Sequence, residues 1–147
     1  MKRSRLTAIL LAVLGLGTGY GLRPVWSQAP TVTRSWTSVG DDSLSGTATA
    51  YQMRYRTVAP PAASDPVGRE AWWVAATQVT NMPAPLAPGT TQAVTVTPAG
   101  GFTGGATYWF VIRTRDEVSN WSGWSNVYAQ TITLIDVIRP APITDLR

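Results

Sequence analysis

The chain has 147 residues, with 12 lysines and arginines against 8 aspartates and glutamates, and a formal net charge of +4. It has no cysteine and no histidine. Those absences exclude a disulfide framework, remove the ligands of the common zinc sites, and remove Cys- or His-based nucleophilic and acid–base centres.

Three of the 12 basic residues, Lys2, Arg3 and Arg5, lie in the first five positions, which leaves 9 against 8, about +1, for the rest. A near-neutral remainder without a basic stripe gives no basis for nucleic-acid binding. The clustered charge and the apolar run Leu6 to Leu16 read as an export signal over residues 1–19. The run is short for a bilayer span. Cleavage is expected after Gly19, where small residues occupy both recognition positions; a site after Ser27 is the other reading. The protein is therefore expected to be secreted or displayed at the cell surface, anchored in the membrane if the segment stays uncleaved.

Thr31 to Thr37 places Val32, Arg34 and Trp36 on one face of an extended chain. An arginine on that face is costly unless its head snorkels to an edge or finds a carboxylate, or unless the site is strained. Those three outcomes stand open. Val39 to Ala48, rich in Asp, Ser and Gly, reads as a loop. Its pair Asp41-Asp42 reads as turn residues rather than calcium ligands, since no regular repeat of oxygen ligands follows. Thr49 to Thr57 alternates Tyr51, Met53 and Tyr55 against Gln52, Arg54 and Arg56, the pattern of a half-buried strand.

Val58 to Gly68 carries Pro60, Pro61 and Pro66 and should be loop, because proline cannot donate to a ladder. Arg69 to Val79 is read as extended, which sends Trp72 and Trp73 to opposite faces, one packed and one exposed. Thr80 to Thr91 is a second proline-rich loop. Gln92 to Thr97 alternates as a strand. Tyr108, Phe110 and Ile112 share one face of the next strand, while Trp109, Arg113 and Arg115 lie on the other. A polar turn follows, and then Trp121-Ser122-Gly123-Trp124-Ser125. Guanidinium planes stack on indole faces, so Arg113 and Arg115 are placed to interleave with Trp121 and Trp124. Val127 to Leu134 forms the last strand.

The stretch from Tyr108 through Ser125 resembles the last two strands of a fibronectin type III domain. Trp121-Ser122-Gly123-Trp124-Ser125 matches the Trp-Ser-X-Trp-Ser box of the cytokine-receptor branch, and Asp116 to Ser122 is closer to bacterial members. The resemblance runs from about Leu22 to Leu134. It implies an all-β, immunoglobulin-like seven-stranded sandwich over residues 20–134, preceded by the signal segment. It implies a first strand at Leu22 to Val25, a core tryptophan at Trp36, and a structural Tyr51. It makes Tyr108 a tyrosine corner whose hydroxyl caps the backbone upstream. Arg34 departs from the family, which carries an apolar residue there. So do Phe102, in place of a leucine, and Gly104, in place of a proline. Residues 135–147 resemble a linker and the start of a second module, since Leu146-Arg147 echoes Leu22-Arg23; a disordered end is the other reading.

Sandwich domains host many activities, so the resemblance implies a role only broadly. The expectation is a non-catalytic extracellular unit, a spacer or protein-interaction and adhesion module with a neighbouring module in the same chain. No cofactor or metal is implied. The alternative is an accessory module that binds polysaccharide through exposed indoles, with Trp73, Trp109, Trp121 and Trp124 as candidates. Covering of those rings by arginines would weaken it. An enzyme is disfavoured, because Asp116-Glu117 and Asp41-Asp42 both fall in predicted turns without an evident cleft.

Overall fold

The computed structural model of the chain describes residues 30–42, 45–133 and 143. The expected signal segment, the first strand at Leu22 to Val25 and the linker lie outside the described residues, apart from Ile143, which is exposed. Six strands and one helix are present among the described residues: β1 (Val32–Thr37), β2 (Ala50–Arg56), α1 (Pro66–Ala75), β3 (Thr77–Gln78), β4 (Thr91–Val96), β5 (Thr107–Arg115) and β6 (Tyr128–Thr131). β1 and β4 form a two-stranded antiparallel sheet, and the other four strands form an antiparallel sheet in the order β3-β2-β5-β6.

The period-two pattern decides which faces meet. Val32 from β1, Val94 and Val96 from β4, Met53 and Tyr55 from β2, and Tyr108 and Phe110 from β5 are buried together in one core between the sheets. Two antiparallel sheets with their inward side chains in a shared core are the arrangement of an all-β sandwich. Phe102 joins that core from the turn before β5, with its ring 4.7 Å from Tyr108 and 5.6 Å from Tyr55. The Tyr108 hydroxyl accepts a hydrogen bond from the Thr103 amide at 3.1 Å, five residues upstream. Trp36 is half-buried, packs against the core, and meets Tyr51 edge-on at 5.1 Å.

The region around Trp72 and Trp73 departs from its expected extended form. Pro66–Ala75 is an α-helix, so part of the expected loop and most of the expected strand belong to one helical element. Asp65 caps it by accepting from the Gly68 amide at 2.8 Å, and Pro66 takes the first turn, where its missing N–H costs nothing. Gly68 makes this cap fit, since a Cβ there would come within 2.1 Å of Asp65 Oδ2. Adjacent residues on a helix are separated by about 100°, not by the half-turn of a strand. Trp72 and Trp73 therefore both face inward, 3% and 4% exposed.

Helix α1 lies on the outer face of the larger sheet, as a third layer. Trp72, Trp73 and Ala76 bury Val111 of β5, with Trp109 and Trp124 packed alongside. Trp72 Nε1 donates to the Val58 carbonyl at 2.7 Å, which leaves that indole without an unmet donor. Among the described residues, no helix is long and apolar enough to cross a membrane.

Candidate functional site

The outer face of β5 carries a stack of arginines and tryptophans. Two successive features build it. First, the alternation of β5 sends Arg113 and Arg115 to the face opposite Phe110. Second, the segment after the turn is laid along β5 by its serines. Ser122 donates its amide to the Thr114 carbonyl at 2.9 Å, and its hydroxyl accepts from the Thr114 amide at 3.0 Å. Ser125 repeats the pattern on Ile112, at 3.0 and 3.1 Å. Each serine thus pairs with one β5 residue through both amide and hydroxyl. This spacing of three residues orients Trp121 and Trp124 over the arginine face.

The turn that aims the segment is also fixed locally. Asp116 accepts from the Asn120 amide at 2.7 Å and from Asn120 Nδ2 at 2.8 Å, and Ser119 takes a left-handed φ of 72°. An isolated bridge joins Arg115 to Trp121.

In the stack, the Arg113 guanidinium carbon lies 4.2 Å from the centroid of Trp73 and 5.8 Å from that of Trp124. Arg54 covers Trp73 at 5.2 Å and donates to the Trp73 carbonyl at 2.8 Å. Arg69 of α1 covers Trp124 at 4.1 Å. Arg115 approaches Trp121 at 5.6 Å. Arg113 also pairs with Glu70 of α1 at 3.0 Å. The Nε atoms of Arg54, Arg113 and Arg115 are buried without a hydrogen-bond partner. Stacking on indole faces offsets part of that cost, because the attraction grows when the pair is desolvated.

This geometry brings Arg113, Arg115, Trp73, Trp121 and Trp124 into one array. Trp73 is a buried member of it, which corrects the expectation that it offers an exposed face. Trp109 points away from the core as its register requires, yet it is half-buried against the α1 cluster. Trp124 is half-buried between two guanidinia. Only Trp121, at 41% exposure, remains an exposed indole among the described residues. Tyr51 and Tyr108 are structural in placement, both buried.

Two polar constellations lie at inward positions, one missed by the sequence pattern and one, at Arg34, marked by it with its outcome open. Gln92 is 7% exposed in the core. Its Oε1 accepts from Ser38 Oγ at 2.7 Å, Tyr51 OH at 3.0 Å and the Leu86 amide at 3.1 Å, while Nε2 donates to the Ala84 carbonyl at 2.8 Å. The amide ties the proline-rich loop to β1 and β2. The inward period of Gln92, Val94 and Val96 was the available signal. Arg34, from β1, resolves its own problem at the edge of the sandwich. Its guanidinium lies over Phe110 at 4.6 Å and Tyr128 at 4.5 Å, donates to the Thr33 carbonyl at 3.0 Å, and bonds Gln130 Oε1 through Nη2. Burial lowers its pKa, with Tyr128 acting in the opposite sense. It snorkels and stacks; the one ion pair among the described residues belongs to Arg113.

Asp41, from the loop after β1, lies beside the turn after β5. Its carboxyl is raised to about 6, chiefly through a hydrogen bond with Glu117, then through desolvation and through the charges of Glu117, Asp116 and Asp42. Asp42 and Ser45 form an isolated antiparallel bridge, the turn geometry expected of this loop. Among the described residues, no acidic side chains are grouped so as to hold a metal ion.

No family model, curated protein or solved structure matches the chain.

Proposed function

We propose that this chain is a fibronectin type III-type module that works as a non-catalytic extracellular unit, a spacer or protein-interaction element of a larger exported protein. The observation that carries the reading is the use of Trp121-Ser122-Gly123-Trp124-Ser125. Both serines serve as pairing groups on β5, and Trp124 is covered by Arg69 and Arg113. Such a box spends its chemistry on holding a sheet face together. Strand order supports the reading as well: β1 with β4, and β2 with β5 and β6, is the connectivity of immunoglobulin-like sandwiches. So does the Tyr108 hydroxyl bound to the backbone before β5.

The polysaccharide reading loses its main platform. A sugar ring stacks on an open indole face, and Trp73 and Trp124 each meet two guanidinia. The test is tryptophan fluorescence of the purified chain during titration with a panel of soluble polysaccharides, run beside Trp124→Ala. The expected outcome is no saturable change with any polysaccharide, and a lowered unfolding midpoint in Trp124→Ala. A saturable change that Trp124→Ala abolishes while its circular dichroism is retained would replace the spacer reading with a carbohydrate-binding one.

A further inference from the structure

The arginine–tryptophan stack has an incomplete end. Trp73 meets Arg54 and Arg113, and Trp124 meets Arg69 and Arg113, so each inner indole has two guanidinia. Trp121 has Arg115 alone and stays 41% exposed. It borders a cleft of about 280 Å³ between the loop after β1 and the turn after β5, lined also by Asp41, Thr114, Arg115, Asp116 and Asn120. Oδ1 of Asp41 is buried without a hydrogen-bond partner.

We infer that this cleft receives a guanidinium group, the arginine side chain of a partner protein, stacked on Trp121 and bonded to the carboxylates of Asp41 and Asp116. Charge complementarity selects a cation. Asp41 and Asp116 line the cleft against the single charge of Arg115. Shape selects a guanidinium over an ammonium, because a planar fork can lie on an indole and bond a carboxylate at once. The partner's arginine would supply the second guanidinium that the inner indoles already possess. A bound cation would also lower the raised carboxyl of Asp41.

The inference rests on the reading of the chain as an interaction unit. The experiment follows the Trp121 indole N–H signal by NMR in the full chain, assigned through Trp121→Ala, during titration with N-acetyl-arginine amide. N-acetyl-citrulline amide, of the same shape without the charge, and methyl glucoside serve as comparators. The expected result is a saturable shift in the millimolar range with the arginine probe. The citrulline probe should bind at least about tenfold more weakly, and Asp41→Asn should weaken the arginine response about threefold or more. An equal response to citrulline, no response to arginine, or an unchanged response in Asp41→Asn would overturn the inference. A shift with methyl glucoside alone would hand the cleft to a sugar. Asp41→Asn leaves the stack of Arg115 on Trp121 untouched, so a folding defect in Trp121→Ala does not blunt the test. Polysaccharide binding through Trp124 with the arginine response preserved would sink the spacer reading and leave the cleft assignment standing.

Discussion

The guanidinium of Arg113 lies over the indole of Trp73 at 4.2 Å, joining strand β5 to helix α1 through a stacked pair rather than through apolar contact alone. Glu70, one turn of helix before Trp73, holds the same guanidinium at 3.0 Å. The pair therefore belongs to both the sheet and the helix. Removing Trp73 empties a site 4% exposed and strips Arg113 and Arg54 of their cover. Trp73→Ala should cost about 3–5 kcal/mol, the range for a buried aromatic. Arg113→Ala should cost about 1–2 kcal/mol, since its ion pair with the exposed Glu70 contributes little and the stack contributes most. A double-mutant cycle in urea should give a coupling energy of about 1 kcal/mol or more. A coupling near zero would show that the two side chains stabilise the fold independently.

Gln92 tests the polar side of the core. Gln92→Leu preserves much of the volume but leaves the Ser38 and Tyr51 hydroxyls, the Leu86 amide and the Ala84 carbonyl without their partner. Each unmet buried group costs about 1–3 kcal/mol, but two of these can turn to water as the loop loosens. The expected loss is about 2–4 kcal/mol. Hydrogen exchange should rise first at Leu86, ahead of β4. Wild-type stability in this variant would mean that the loop is held by its prolines instead.

The strands were legible because side chains with a period of two have to face a core. Tyr51, Met53 and Tyr55, and Tyr108 and Phe110, read directly as inward rows and are found so. The helix was less legible for a physical reason. Asp65-Pro66 is a helix-start pair, yet two prolines at Pro60 and Pro61 and a glycine at Gly68 suggest loop, and Trp72-Trp73 suits a strand equally well. Capping by Asp65 and burial of both indoles against Val111 decide the matter, and burial against another element cannot be read from local sequence. In the site, the pairing of Arg113 and Arg115 with Trp121 and Trp124 followed from alternation. The roles of Arg69 and Glu70 did not, because α1 brings them there, nor did that of Arg54 on β2, because α1 brings Trp73 to it.

Arg34 shows how a charged residue can hold an inward position. Its head bridges β1 to Phe110 of β5 and to Tyr128 and Gln130 of β6. Arg34→Lys keeps the charge but loses the planar stack and the fork. A loss of about 1–2 kcal/mol is expected, taking two partly desolvated stacks into account. Arg34→Met, which fills the same groove without a charge to desolvate, should be milder than Arg34→Lys. Denaturant midpoints of the two variants check the order. A smaller loss in Arg34→Lys than in Arg34→Met would mean that the charge itself, and not the stacking, is what the site needs.

Asp41 gives the chain a specific pH dependence. Its carboxyl is raised from 3.8 to about 6 in the fold, first through the hydrogen bond with Glu117. A shared proton between two carboxyls produces this, since both cannot ionise at close range without repulsion. Between the two values the folded chain binds more protons than the unfolded one, so stability falls as pH rises through this window. The contribution is fully present below about pH 4 and is lost above about pH 6. Ordinary carboxylates titrate in the same range, so the informative quantity is the difference between wild type and Asp41→Asn. The wild-type unfolding midpoint should drop relative to that of Asp41→Asn as pH increases from about 4 to about 7. Glu117→Gln should flatten the same difference, because it removes the group that shares the proton. Parallel pH profiles for wild type and Asp41→Asn would mean that the loop after β1 and the turn after β5 do not share a proton in solution.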